Sequence, residues 1–189
     1  MSARRLYRRS LAALLVVAPL ALWSASGNDW MAYRRSLRVA EITVAAGGAQ
    51  DYGGSTWRIE RHSVHRGELP AVDGAKTLTT VPRSLPAGTS LVRVRVAVRA
   101  GDAEAVRRLD RCTLELVDAD GRRWNPQNLQ PERRREVATR CNGSYSAPPQ
   151  VAQDFVFEQD FLVPNDAAGR VDARVRIGAE PQLLRLQLR

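Results

Sequence analysis

Apolar and polar side chains alternate along most of the C-terminal three quarters of the chain. The clearest case is residues 90–99, where valine stands at every second position from Val92 to Val98 and arginine takes most of the opposite positions. A period of two is typical of a β-strand with one buried face and one face in water. No ten-residue helical stripe separates the alternating segments, so the pattern predicts an antiparallel sheet protein.

The same test predicts seven more strands, at residues 39–45, 56–64, 112–116, 122–124, 155–163, 171–177 and 184–188. Asp118-Ala119-Asp120-Gly121 indicates a hairpin turn, and the glycine-rich residues 45–55 separate the first two strands. Residues 126–153 have no periodic pattern and are predicted to be a long loop. Eight short strands in one domain of about 150 residues predict a β-sandwich over residues 39–189.

The N-terminus has a different pattern, because residues 10–28 carry no charge and follow four arginines. At about 1.5 Å per residue this stretch reaches about 28 Å, close to the hydrocarbon thickness of a bilayer. We expect a cytoplasmic basic segment (residues 1–9), a transmembrane signal-anchor helix (residues 10–28) and a helical stalk (residues 29–38). The arginines would keep the N-terminus inside and send the domain outside as a single-pass membrane protein.

A cleaved export signal is the alternative for this segment. Its strictly apolar part, residues 11–23, is as short as that of a signal peptide, and the small residues around Ser26 suit a signal peptidase. Trp23, Trp30 and Tyr33 favour the anchor, because aromatic side chains collect at membrane interfaces. Both readings place the rest of the chain outside the cytoplasm.

The net charge of the chain adds little to these predictions of fold and location. The chain has 29 basic residues, all but Lys76 arginine, and a formal net charge of +9, of which the N-terminal segment contributes four. The remaining surplus suits an anionic cell-wall polymer or lipid surface, and it also simply keeps a domain soluble. Arg133, Arg134 and Arg135 form a run that usually means a solvated loop and could contact an acidic partner. Nucleic acid is not expected outside the cytoplasm.

The two cysteines, Cys112 and Cys141, agree with export. An even number of cysteines outside the cytoplasm most simply forms a disulfide, and only one pairing exists here. The loop of about 29 residues that it closes would contribute roughly 3 to 4 kcal/mol on the chain-entropy model. A metal site would need more ligands, and a catalytic cysteine would need a nearby histidine.

Other candidate chemistry is weak, so no cofactor, metal or catalytic residue is expected. His62 and His65 are three apart on a predicted strand and should point to opposite faces. Asp118 and Asp120 lack the further oxygen ligands of a calcium loop and suit a tight turn. No phosphate-binding glycine loop or serine nucleophile motif is present.

The succession SLVRVRVAVR, CTLELVDADGRRWNP, DFVFEQDFLVPNDA and LLRLQL resembles the telokin-like, immunoglobulin-type extracytoplasmic domains of unknown function found in bacterial, including actinobacterial, anchored proteins. The resemblance implies an all-β, immunoglobulin-like antiparallel β-sandwich, here preceded by one N-terminal transmembrane helix. That family has no catalytic residues to transfer. The resulting expectation is a non-catalytic binding or scaffolding module.

Membrane lipid is the expected partner of the N-terminal helix. The partner of the domain is left open between an envelope protein and an anionic cell-wall polymer, and the oligomeric state is not predicted. Two alternative functions remain, which are a secreted or tethered cell-wall hydrolase and a structural spacer. A hydrolase would need two carboxylates about 5 to 9 Å apart in a pocket.

Overall fold

This computed structural model describes residues 40–68, 84–127, 137–143, 148–178 and 180–189. These residues contain nine strands and one short helix. The helix is α1 (Ala103–Leu109). The strands are β1 (Ala40–Val44), β2 (Ala49–Tyr52), β3 (Ser55–Arg66), β4 (Thr89–Ala100), β5 (Cys112–Val117), β6 (Arg123–Trp124), β7 (Asp154–Pro164), β8 (Asp172–Ile177) and β9 (Gln182–Leu186). The predicted all-β class is confirmed.

The strands form two sheets, as the predicted sandwich requires. The five-stranded sheet has the order β1-β9-β8-β5-β6, and the four-stranded sheet has the order β2-β3-β4-β7. The long strands pair antiparallel, with β4 between β3 and β7 and with β8 between β5 and β9. Neighbours such as β4 and β7 are distant in sequence, so the chain passes repeatedly between the sheets.

The core lies between the sheets and is formed by the positions that the alternation assigned to it. The valines of β4 are almost fully buried, as are Phe157 and Phe161 on β7 and Leu114 on β5. Trp57 is completely buried, with its ring centroid 6.4 Å from that of Phe157 in an edge-to-face arrangement. Such aromatic pairs add stabilisation beyond the area that they bury.

The glycine-rich segment after β1 contains a strand, β2, that the sequence analysis missed. Tyr52 pairs with Ser55 across a two-residue turn in which Gly53 and Gly54 have φ values of +61° and +79°. A hairpin turn with positive φ at both central positions strongly favours glycine. Gly53 also lies so close to Ile177 that an added Cβ would collide with that side chain.

The helix α1 is the second element that the sequence analysis missed. It begins after Asp102, whose carboxylate accepts a hydrogen bond of 2.7 Å from the backbone N–H of Ala105. Glu104 in the first turn and basic residues in the last turn suit the helix dipole. The helix buries Ala105 and Leu109, which is too few positions for a recognisable apolar stripe.

The predicted cytoplasmic segment, transmembrane helix and stalk, at residues 1–9, 10–28 and 29–38, lie outside the described residues and remain predictions. Within the described part of the chain, no helix has the length and hydrophobicity needed to cross a bilayer.

Candidate functional site

Cys112 and Cys141 form the expected disulfide, with their Cα atoms 6.1 Å apart. Cys112 begins β5, and Cys141 lies in residues 137–143, which we call the crosslinked segment. The Cys141 side chain is only 3% exposed and belongs to the hydrophobic core. The bond therefore fastens this segment to the five-stranded sheet.

The crosslinked segment is also hydrogen-bonded to β7 of the other sheet. The backbone N–H of Glu158 donates to the carbonyl oxygen of Ala138 over 2.8 Å. The side-chain Nε2 of Gln159 donates to the carbonyl oxygen of Thr139 over 2.9 Å. The segment consequently bridges the two sheets at one edge of the sandwich.

A cleft of about 650 Å³ opens where the crosslinked segment meets β5, β6 and β8. Its volume falls within the roughly 300 to 1,000 Å³ of typical ligand sites. Its lining is mostly polar and combines guanidinium, amide, hydroxyl and carboxylate groups. These polar groups belong to Asp110, Thr113, Glu115, Arg123, Asn125, Arg140, Asn142, Gln159 and Arg176.

Three arginines converge on this cleft. Arg123 lies on β6, Arg176 on β8, and Arg140 directly precedes Cys141 in the crosslinked segment. None of the three forms an ion pair or a side-chain hydrogen bond with any residue that the structure describes. Three unpaired guanidinium groups around one concave surface attract anions, because their fields add there.

Many of the described arginines elsewhere on the sandwich form ion pairs. Arg174, beside the cleft on β8, is 5% exposed, and its guanidinium lies 3.1 Å from a carboxylate oxygen of Glu41 and 2.8 Å from one of Glu115. On the other sheet, Nε of Arg93 lies 2.7 Å from a carboxylate oxygen of Asp160. Exposed arginines such as Arg66 on β3 also lack an ion pair among the described residues, so the cleft is distinguished by holding three such arginines around one concave surface.

The cleft also holds two carboxylates and an incompletely satisfied amide. Asp110 follows the C-terminus of α1, and Glu115 is bound by Arg174. Gln159 also lines an adjoining groove of about 290 Å³. Its Oε1 is buried, and no donor among the described residues reaches it. A buried acceptor without a donor costs about 1 to 3 kcal/mol.

The two histidines lie on β3, apart from this cleft. His62 pairs with Val94 and His65 with Leu91, which are on opposite faces of the sheet, as their spacing predicted. His65 forms a hydrogen bond of 2.9 Å with Ser63, and burial together with nearby Arg93 lowers the pKa of its imidazole. No cluster of three metal-binding side chains occurs among the described residues.

The aspartates of the DADG sequence form the expected turn. The Asp118 carboxylate accepts backbone hydrogen bonds from Asp120 and Arg122, over 3.0 Å and 2.9 Å, and lies 2.6 Å from Nε of Arg122. Burial opposes ionisation of Asp118, but the hydrogen bonds from Arg122 outweigh it and lower the pKa of the carboxyl group. The Asp118 carboxylate therefore stabilises the turn.

The arginines predicted from the sequence to contact a partner are a different set. Arg133, Arg134 and Arg135 lie outside the described residues, so their contact with an acidic partner remains a prediction. The arginines of the cleft were not predicted, because they are spread over the sequence from Arg123 to Arg176. The only local signals that could have pointed to a binding role were their positions on the outward side of predicted strands or next to a cysteine of the disulfide.

No known family model matches the chain, and no curated protein matches it. Solved structures of similar shape include an uncharacterized β-sandwich protein from Clostridium difficile 630, with a TM-score of 0.47, 10% identity, and coverage of 80% of this chain and 97% of that one. A conserved hypothetical protein from Bacillus anthracis has a TM-score of 0.46 and 8% identity, covering 77% and 94% of the respective chains. A secreted protein from Mycobacterium tuberculosis has a TM-score of 0.41 and 14% identity, covering 78% and 97%. Similarity at this level carries no information about function.

Proposed function

We propose that this protein is a membrane-anchored, extracytoplasmic and non-catalytic binding module that holds an acidic envelope component in the arginine-lined cleft. The observation that carries the proposal is the convergence of Arg123, Arg140 and Arg176 without carboxylate partners among the described residues. Guanidinium groups bind carboxylates and phosphates through paired, charge-assisted hydrogen bonds. The acidic component is an anionic cell-wall polymer or an acidic envelope protein.

The disulfide supports the extracytoplasmic part of the proposal. Disulfides persist in oxidising compartments and are rare in the cytoplasm, where thiols are kept reduced. The Cys112–Cys141 bond also anchors one wall of the cleft. A binding site whose wall depends on a disulfide fits a protein that works outside the cell membrane.

The strand order supports an immunoglobulin-type sandwich of the telokin-like kind. The order β9-β8-β5-β6 corresponds to strands G, F, C and C′ of an immunoglobulin variable domain, and β3-β4-β7 corresponds to A, B and E. The disulfide differs, because antibody domains join strands B and F, whereas here Cys112 begins the strand that matches C. We propose this relationship for the fold only.

The test is binding of the purified domain to poly-glutamate and to a phosphate-bearing cell-wall polymer, measured by isothermal titration calorimetry. We expect Arg176→Gln and Arg140→Gln each to weaken binding about tenfold, since each removes one charge-assisted contact of the strong kind. Arg66→Gln is the matched control, because Arg66 is an exposed arginine on β3 of the other sheet. It should leave the affinity unchanged.

Three outcomes would overturn the proposal. Equal loss of affinity in Arg66→Gln and Arg176→Gln would mean that net charge and not the cleft attracts the polymer. Breakdown of the polymer during incubation would favour the cell-wall hydrolase, and absence of any binding would favour the structural spacer.

A further inference from the structure

A second cleft, of about 610 Å³, adjoins the arginine-lined cleft. Asp110 lines both clefts, and the second one is otherwise formed by α1 and the residues around the end of β8. The arginines that α1 contributes to it form ion pairs, and Arg108, for example, lies 3.0 Å from a carboxylate oxygen of Glu180. The remaining arginine of this cleft is Arg111, which forms no ion pair or side-chain hydrogen bond with any residue that the structure describes.

Arg111 continues the row of outward arginines on the five-stranded sheet. The pairing of β5 with β8 places Thr113 opposite Arg176. The ladder continues to Gly178, whose backbone N–H donates to the carbonyl oxygen of Arg111 over 3.1 Å. The side chain of Arg111 lies across Gly178, where an added Cβ would be 3.0 Å from the Cβ of Arg111. Diagonal neighbours on adjacent strands are about 7 to 8 Å apart, so Arg176 and Arg111 are neighbouring cations on one face of the sheet.

The two clefts therefore present unpaired guanidinium groups at intervals along a surface. A small anion occupies one of these positions, whereas a linear chain with repeated charges reaches both. The second contact then adds affinity, because it is made within one bound molecule. Asp110 lies at the boundary of the clefts, and its carboxylate repels a chain that is charged at every position. The arrangement suits anionic groups that are separated by neutral linkers.

The position of this row on the sheet favours a phosphate chain over a peptide. Arg176 and Arg111 project from the face of the sheet, where β5 and β8 use their backbone groups to pair with each other. An extended peptide binds a sheet through main-chain hydrogen bonds at an edge, which this face does not offer. A phosphodiester chain needs no such partners, and its phosphates accept paired hydrogen bonds from guanidinium groups.

We propose that a linear polymer of polyol phosphates lies across both clefts, with Arg176 and Arg111 binding neighbouring phosphate groups. The inference rests on the proposed binding at the arginine-lined cleft. It narrows the partner to an anionic polymer with spaced charges and adds Arg111 to the binding site.

The experiment compares a single phosphate with a chain of phosphates. Glycerol phosphate and an oligomer of about eight glycerol phosphate units are each titrated into the purified protein and followed by NMR. We expect the oligomer to bind at least about tenfold more tightly per phosphate, because its second contact is intramolecular. Arg111→Gln should remove most of this gain and leave the affinity for glycerol phosphate within about twofold of the wild type. Arg66→Gln, which makes the same change of charge at an exposed position on the other sheet, is the control and should preserve the gain.

The outcomes separate this inference from the proposed function. A gain that survives Arg111→Gln, with the dependence on Arg176 intact, would overturn the polymer inference and leave the proposed function standing. Loss of the Arg176 dependence for both probes would overturn the proposed function itself. An oligoglutamate of equal charge is the third probe, and we expect it to bind more weakly than the glycerol phosphate oligomer. Equal or tighter binding of the oligoglutamate would contradict the phosphate polymer and indicate an acidic protein segment.

Discussion

Single side chains link the two sheets, and Tyr52 is the clearest case. It lies at the end of β2 in the four-stranded sheet and is 5% exposed. Its hydroxyl donates to the carbonyl oxygen of Gln182 over 2.7 Å and accepts from the backbone N–H of Ile177 over 3.3 Å. One hydroxyl therefore satisfies two backbone groups of the five-stranded sheet.

We expect Tyr52→Phe to lower the free energy of unfolding by about 1 to 3 kcal/mol, because the substitution keeps the ring but leaves the backbone groups of Gln182 and Ile177 without their partner. Urea titration of the purified domain measures the change. Thr56→Val is the control, since it removes a hydroxyl whose bond to Asp51 is exposed to water, and it should cost less. An equal loss of unfolding free energy in the two variants would contradict the conclusion that the hydrogen bonds of Tyr52 stabilise the fold more because they are buried.

The same hydroxyl should make the stability sensitive to alkaline pH. Burial raises the pKa of Tyr52, and this outweighs the opposing hydrogen bond from Ile177. A group whose pKa is raised by folding stabilises the protein fully below its unfolded pKa of about 10 and loses that contribution as pH rises through the folded pKa. The stability difference between wild type and Tyr52→Phe should therefore narrow above about pH 10.

Single residues also mark the limit of prediction from sequence at the cleft. Arg123, Arg140 and Arg176 look like any of the other arginines, because nothing nearby in sequence says which ones lack a carboxylate partner. Whether an outward arginine is paired depends on the strand beside it. Arg174 and Arg176 stand on the same face of β8, yet only Arg174 has acidic partners among the described residues.

Among the structural elements, the crosslinked segment connects stability to binding. We expect Cys141→Ser to lower the free energy of unfolding by about 2 to 4 kcal/mol, on the chain-entropy model of a disulfide that closes a loop of this length. Because Arg140 precedes Cys141, the change should also weaken anion binding at the cleft. Denaturant titration and calorimetry measure the two effects.

The double variant Cys112→Ser/Cys141→Ser serves as the control and should match the single variant, since either change removes the bond. Affinity that survives the loss of the disulfide would mean that the hydrogen bonds to β7 alone hold Arg140 in place. Thiol labelling of the denatured, unreduced protein from the envelope provides a direct check, and two free thiols there would contradict the bond.

The elements differ in how well the sequence predicts them. Long strands such as β4 and β7 were predicted because apolar and polar residues alternate over many consecutive positions, which indicates one buried face. The strand β2 was hidden by neighbouring glycines, and it exists because Gly53 and Gly54 permit the turn that pairs it with β3. The helix α1 has only seven residues and is set by its Asp102 cap more than by an apolar stripe.

For the whole molecule, the orientation across a membrane is the central expectation, and it rests on the arginines before the apolar residues 10–28. A reporter that is active only outside the cytoplasm should be active when fused after Arg189, and its silence would contradict export. Membrane fractionation then separates the anchor from the cleaved signal. A mature chain that begins near Gly27 and washes off membranes would show that the segment is a cleaved signal.

The sequence by itself determined the strand-rich class, the inward faces of β4 and β7 and the only possible cysteine pairing, because these depend on local alternation or on the presence of two cysteines. The tertiary structure alone decided which strands are neighbours, that β2 and α1 form, and that Arg123, Arg140 and Arg176 meet at one cleft beside the disulfide. The reason is physical. A side chain's face follows from the two-residue period of its own strand, whereas its neighbours across a sheet follow from the packing of segments far apart in the chain.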